Sequence, residues 1–166
     1  PAACSGDMYA GVSLEGAITG TPAYMSPEQA AGHLNKIDTR SDVYSLGVIL
    51  FHLLTGAFPH DTTGSAMDIV RRICDLDPRR LRSIQPRADK ELDALLGKAL
   101  AKEPEQRYGT AGGLAADLDR YLNGQPLEAQ SPTVGYLLSR WVRKNWLPLA
   151  VAAGVAISLL GMGAWS

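Results

Sequence analysis

The side chains able to do chemistry are few and scattered. His33, His52 and His60 are the three histidines, and their spacing fits neither a metal-ligand set nor a nucleophile–base–acid triad. No cluster of paired acids stands in for them, so no metal ligand is expected. Cys4 and Cys74 are the two cysteines; they make no disulfide framework and read as packing or surface thiols in a reducing compartment. The densest charge is a group of five arginines, Arg72, Arg79, Arg80, Arg82 and Arg87. These could bind an acidic partner, but Asp75, Asp77 and Asp89 are interleaved with them and favour a solvated face.

The elements that must position such residues are helical. Ser41 to Gly56 carries almost nothing polar after Tyr44 and is too short for a membrane span, so it reads as a central buried helix. Ser41 is its expected N-cap, Asp42 suits the positive end of the helix dipole, and Gly56 suits the left-handed residue that closes it. Before it, residues 1–18 read as a mobile loop. Two prolines preclude a helix across Gly20–Glu28, and Pro27 opens a short helix to Ala31. After it, a helix is expected over Ser65–Cys74, with Ile69, Val70 and Ile73 on one side. Asp75–Arg87 reads as irregular. Leu92, Leu95, Leu96, Ala99 and Leu100 mark a core-facing helix ending at Pro104. Thr110 caps a last helix with Leu114, Leu118, Tyr121 and Leu122 facing inward, closed at Asn123-Gly124. Residues 19–124 are thus expected to be all-α.

The composition is 46% hydrophobic and 20% charged with a formal net charge of -1, which argues against a nucleic-acid partner. Residues 125–145 read as a linker followed by a basic amphipathic stretch that includes Arg140, Trp141, Arg143 and Lys144. From Trp146 to Ser166 no charged residue occurs. About 20 such residues cross a bilayer core of about 30 Å, so 146–166 is expected to be a single transmembrane helix. The cations before it place residues 1–145 in the cytoplasm and the protein at the cell membrane. Pro1 in place of Met and the apolar run at the other end suggest a chain cut at both ends.

Three stretches fall into one pattern. Gly20-Thr21-Pro22-Ala23-Tyr24-Met25-Ser26-Pro27-Glu28 resembles the end of a protein kinase activation segment, with Ser-Pro-Glu for the commoner Ala-Pro-Glu. Asp42-Val43-Tyr44-Ser45-Leu46-Gly47 resembles the family's Asp-x-Trp-x-x-Gly, with Tyr44 for Trp. Pro104-Glu105-Gln106-Arg107 resembles its Pro-x-x-Arg. Each alone is weak, but their order and spacing make the resemblance specific over about Ile18 to Leu122. With the tail, the layout resembles that of bacterial receptor-type serine/threonine kinases. The implied fold class is mainly α: a partial kinase C-lobe over 19–124, preceded by an activation-loop remnant and followed by juxtamembrane and transmembrane segments.

The resemblance implies roles residue by residue. Glu28 and Arg107 would form the family's buried ion pair. Asp42 would hold the catalytic loop to the central helix, although a helix N-terminal acid explains it as well, and Gly47 completes that motif. Gly20, Thr21, Pro22 and Tyr24 would shape the substrate-docking loop, with the Thr21 hydroxyl bonding the catalytic Asp and a nearby Lys. Thr19 is a candidate phosphorylation site on equal terms with an ordinary loop threonine, whereas Ser5 and Ser13 read as ordinary loop serines. The central helix would also pack on the helix preceding the catalytic loop, which this chain does not contain. A complete kinase would use ATP and Mg2+ to phosphorylate Ser or Thr of protein substrates, and a homodimer is a further partner the layout allows. None of Gly-x-Gly-x-x-Gly, His-Arg-Asp or Asp-Phe-Gly occurs here, so this chain alone is expected to bind no cofactor and to be inactive. The alternative is a pseudokinase or other non-catalytic, membrane-anchored binding module, which would share every one of these features.

Overall fold

The computed structural model describes residues 21–130, and the activation-loop remnant, the basic stretch and the expected span lie outside them. The described residues form six α-helices, α1 (Pro27–Ala30), α2 (Thr39–Thr55), α3 (Ala66–Asp75), α4 (Leu81–Ile84), α5 (Lys90–Ala99) and α6 (Ala111–Leu122). Three-residue 3₁₀ turns at Pro22–Tyr24, Leu34–Lys36 and Pro104–Gln106 link them. No strand occurs among the described residues.

Local chemistry accounts for most boundaries. Ser65 and Asp68 exchange bonds in a capping box, with Ser65 Oγ accepting from Asp68 N–H at 3.2 Å and Asp68 Oδ2 accepting from Ser65 N–H at 2.9 Å. Thr110 Oγ1 accepts from Gly113 N–H at 3.1 Å and opens α6. Gly56, at φ 70°, closes α2 in the left-handed conformation. The start of α2 differs from expectation: its N-cap is Asp38, whose Oδ1 accepts from Arg40 N–H at 2.7 Å. Ser41 lies inside the first turn, buried, because its hydroxyl is taken by Glu28. A helical turn also appears at Leu81–Ile84 within the stretch expected to be irregular, where Leu81 is driven into the core beside Leu96 and Leu100.

Helix α2 packs against α5, α6, α4 and the Pro22–Tyr24 turn, while α1 packs on α3. Its Tyr44, Val48 and Phe51 meet Leu81, Leu96 and Leu100, and Val43 meets Leu95, Ala99, Tyr108 and Leu114. Cys74 packs with Ala30, Ala31, Val70 and Ile73. The helix is not buried all round: Leu46, Ile49 and Leu53 are 40%, 42% and 76% exposed on one side. Leu122, expected to face inward, is 78% exposed; the buried positions of α6 are Leu114 and Asp117.

The fold class needs one correction. It included a transmembrane helix, yet no described helix is long and apolar enough to cross a membrane. The longest, α2, has 17 residues, about 25 Å at 1.5 Å per residue against roughly 30 Å of hydrocarbon, and it carries Arg40, Asp42 and His52. The segment assigned to the span, 146–166, lies outside the described residues.

Gly47 sets the spacing of α2 and α5. A Cβ there would stand 3.1 Å from both Ala99 Cβ and Leu100 Cδ2, closer than relaxed packing allows. Gly47→Val is expected to force the helices apart and cost about 1–3 kcal/mol, read as a lowered urea midpoint of the chain.

Candidate functional site

The centre of the site is Arg107, on the loop after α5. It is 4% exposed, and a guanidinium can be buried only if its donors are used. All five N–H groups find acceptors. Nη1 donates to Glu28 Oε1 at 2.7 Å and Arg40 O at 3.1 Å, and Nη2 to Glu28 Oε2 at 2.8 Å and Lys102 O at 2.9 Å. Nε donates to Ala101 O at 2.7 Å. The loop carbonyls it collects lie just beyond α5, which ends at Ala99, short of Pro104 where the sequence suggested its end.

Glu28 is placed by α1. Ser26 precedes the helix, and its N–H donates to Gln29 Oε1 at 3.0 Å. Pro27 fills the first helical position and Glu28 follows in the first turn, 4% exposed. Ser41 Oγ donates a further bond to Glu28 Oε1 at 2.6 Å. Burial alone would push the carboxyl up, but the Arg107 and Ser41 hydrogen bonds and a backbone bond outweigh it and hold Glu28 at about 2.

The Arg107 guanidinium also lies over the Tyr44 ring, 5.0 Å from its centroid. Tyr44, fully buried where the resembling motif has Trp, bonds through its hydroxyl to His60 Nε2 at 3.1 Å. Burial raises the Tyr44 phenol well above its usual range. His60 is pushed down to about 4, first by burial and then by the charges of Lys102 and Arg79, with Asp77 opposing. The imidazole is therefore neutral near pH 7. Neither His60 nor Ser41 stood out as a site residue in the sequence, because nothing local marks a partner that lies across the fold.

The other site residues fall on the rim. Thr21 is exposed and precedes the Pro22–Tyr24 turn, where its carbonyl accepts from Tyr24 N–H at 3.1 Å and its side chain makes no cap bond. Tyr24 is anchored twice, edge-on to Phe58 with centroids 5.4 Å apart and through its carbonyl, which accepts from Ser45 Oγ at 2.9 Å. Ser45 is a third residue the sequence reading missed. Asp42 is exposed in the first turn of α2. Thr19 and Gly20, like Ser5, Ser13 and Cys4, lie outside the described residues. No group of His, Cys, Asp and Glu among the described residues could hold a metal ion.

A second buried knot had no sequence signal. Asp117 is fully buried and accepts from Tyr108 Oη at 2.8 Å, Glu128 N–H at 2.7 Å and Ala129 N–H at 3.0 Å. Burial opposes its charge, but these bonds prevail and hold the carboxyl below its ordinary range. Residues 127–129, part of the expected linker, are thereby docked on α6.

The family described as protein kinase domain matches residues 7–118. The serine/threonine-protein kinase PknB of Mycobacterium tuberculosis (strain ATCC 25618 / H37Rv) is 44% identical over 118 residues, covering 71% of this chain and 18% of that protein. The probable serine/threonine-protein kinase SCO3848 of Streptomyces coelicolor is 36% identical over 124 residues, covering 75% of this chain and 18% of that protein. The serine/threonine-protein kinase PknL of M. tuberculosis (strain CDC 1551 / Oshkosh) is 39% identical over 110 residues, with 66% and 27% covered. The chain thus spans less than a third of the length of these relatives.

Two outcomes follow from the buried groups. Glu28→Gln leaves the Arg107 charge without its counter-ion and is expected to cost about 3–5 kcal/mol, whereas the double variant Glu28→Gln/Arg107→Met should recover part of that loss; urea denaturation reads both. Acid should weaken the fold in two stages. His60 has a lowered folded pKa, so its contribution is full above about 6.5 and is lost as pH falls toward about 4. Glu28 contributes above its ordinary 4.5 and is lost as pH falls through about 2, a difference of roughly 3 kcal/mol. Urea midpoints measured against pH should lose the upper stage in His60→Gln and the lower stage in Glu28→Gln.

Proposed function

The chain belongs to the protein kinase family, and on that premise we propose that it is part of a longer bacterial serine/threonine kinase, supplying the helical platform for the activation segment and the peptide-docking loop. The longer protein would transfer the γ-phosphate of ATP to Ser or Thr hydroxyls of protein substrates. The observation that carries this reading is the bidentate Glu28–Arg107 pair, which ties the Ser-Pro-Glu stretch to the loop after α5. The chain lacks the sequence motifs that hold ATP and Mg2+ in the family, so those groups would be bound by other parts of the longer protein and no step of the transfer is assigned to residues here.

What these residues would do is position. Tyr24, fixed by Ser45 and Phe58, holds the Pro22–Tyr24 turn on α2. That leaves Thr21 exposed at the head of the turn, where its hydroxyl could meet a catalytic Asp and Lys. Gly20 would give that loop its freedom, and Thr19 would accept the phosphate that orders it. Asp42, exposed at the positive end of α2, would receive backbone N–H groups of the catalytic loop. A location at the cytoplasmic side of the cell membrane belongs to the same proposal and is supported by the cationic and aromatic run Arg140, Trp141, Arg143, Lys144 and Trp146.

Phosphotransfer by the longer protein to a generic Ser/Thr substrate, measured with labelled ATP, tests the reading; a silent protein that still folds would favour the non-catalytic binding module. In an active protein, Thr21→Ala should lower kcat by about 10²-fold and leave the unfolding midpoint unchanged, because the side chain is exposed and caps nothing. Unchanged turnover would remove Thr21 from its role.

A further inference from the structure

Away from the ion pair, a groove runs between α4, α5 and the loop that follows α5, with a cavity of about 400 Å³. That lies within the range of about 300–1,000 Å³ typical of ligand sites. Half-buried Pro78 and Ala101 give it an apolar lining over the buried core leucines Leu81, Leu96 and Leu100, and Arg79, Arg80 and Lys102 stand on its rim.

The rim is cationic in fact as well as in name. Arg80 is partly committed, since its Nη2 pairs with Asp93 at 3.3 Å. Arg79 Nη2 donates to the neutral carbonyl of Phe58 at 2.6 Å, which fixes the side chain without cancelling its charge. Lys102 is positioned by the site itself, because its carbonyl accepts from Arg107 at 2.9 Å. Asp77 is the one acid lining the groove. At the neighbouring His60 the charges of Lys102 and Arg79 oppose protonation and that of Asp77 favours it, and three cations face the one acid of the lining.

We propose that this groove docks an acidic peptide segment of a protein partner, setting aliphatic side chains against Pro78 and Ala101 and aspartate or glutamate carboxylates against Lys102 and Arg79. A partly apolar lining with a cationic rim selects that chemistry by complementarity: a basic peptide meets like charge, and a neutral one leaves the rim unanswered. On the kinase reading, on which this identification of the partner as a substrate rests, the groove recruits substrates by an acidic segment separate from the phosphorylated residue. It shares no lining residue with the apolar face of α2 and α6.

Fluorescence anisotropy of a short labelled peptide alternating glutamate with leucine, titrated with the 166-residue chain in the absence of ATP, tests the proposal. The acidic peptide should bind, its lysine–leucine counterpart should not, and added salt should weaken the binding. Lys102→Glu should weaken it about tenfold or more at an unchanged unfolding midpoint. Lys102→Gln should weaken it less, and it serves should the glutamate variant misfold. Equal binding of the acidic and glutamine-substituted peptides, indifference to both Lys102 variants, or full competition by free glutamate would each overturn the proposal. Because binding is read without ATP, its failure leaves phosphotransfer by the longer protein untouched, and a catalytically silent protein leaves the docking result standing.

Discussion

A buried guanidinium is the constraint on which the rest of the described structure depends. Arg107 can stay out of water only if five donors are answered at once, and the five acceptors come from three separate parts of the chain. Glu28 comes from α1, Arg40 O from the first turn of α2, and Ala101 and Lys102 from the loop after α5. Moving any one of these leaves a charged donor or the Glu28 carboxylate uncompensated in a low-dielectric interior. The pair is not thereby a large net source of stability, since desolvation offsets much of the attraction. Its effect is on specificity: few arrangements of these segments satisfy every group, and alternatives are penalised by several kcal/mol each.

The same logic recurs at Asp117, where one carboxylate gathers Tyr108, the backbone of Glu128 and Ala129, and Arg120 at 3.2 Å. Between the two polar knots lies an apolar layer in which Gly47 lets α2 approach α5. Polar knots fix which segments meet, and the apolar layer supplies most of the driving force for their meeting. Tyr44 joins the two, with its ring in the apolar layer, its face under Arg107 and its hydroxyl on His60.

What could be read in the sequence follows from range. The caps at Thr110 and Gly56 are set within a few residues and were visible as residue types in place, whereas Ser65 was read as the first residue of α3 and is its N-cap. The α2 N-cap was not, because Asp38 and Ser41 are both good caps and only the distant carboxylate of Glu28, which engages the Ser41 hydroxyl, decides between them. Helix α4 has four residues, too few to show a period, and forms because Leu81 is wanted in the core. Glu28 and Arg107 stand 79 residues apart, so no local pattern could pair them; the resemblance of two short motifs to a family did. Asp117 had neither a cap position nor a motif, and an acid amid a leucine stripe reads as surface until its four donors are seen. The membrane span rested on composition in 146–166, and composition alone does not place a helix.

The two sides of α2 differ in what they demand. On the side of Tyr44 and Arg107 every partner is named by geometry, down to individual lone pairs. On the other side Leu46, Ile49 and Leu53, with Ala111, Ala115 and Leu118 of α6, border an apolar hollow of about 310 Å³ with almost no polar lining. Such a surface is attracted to any apolar cover of suitable shape, since burial of hydrocarbon is non-directional. Directional bonds therefore set the internal arrangement of the helices, while the outer face of α2 imposes only area and shape. A substitution at Arg107 should leave the Glu28 carboxylate buried without its counter-ion, whereas a substitution at Leu53 should alter how strongly α2 holds whatever lies against it.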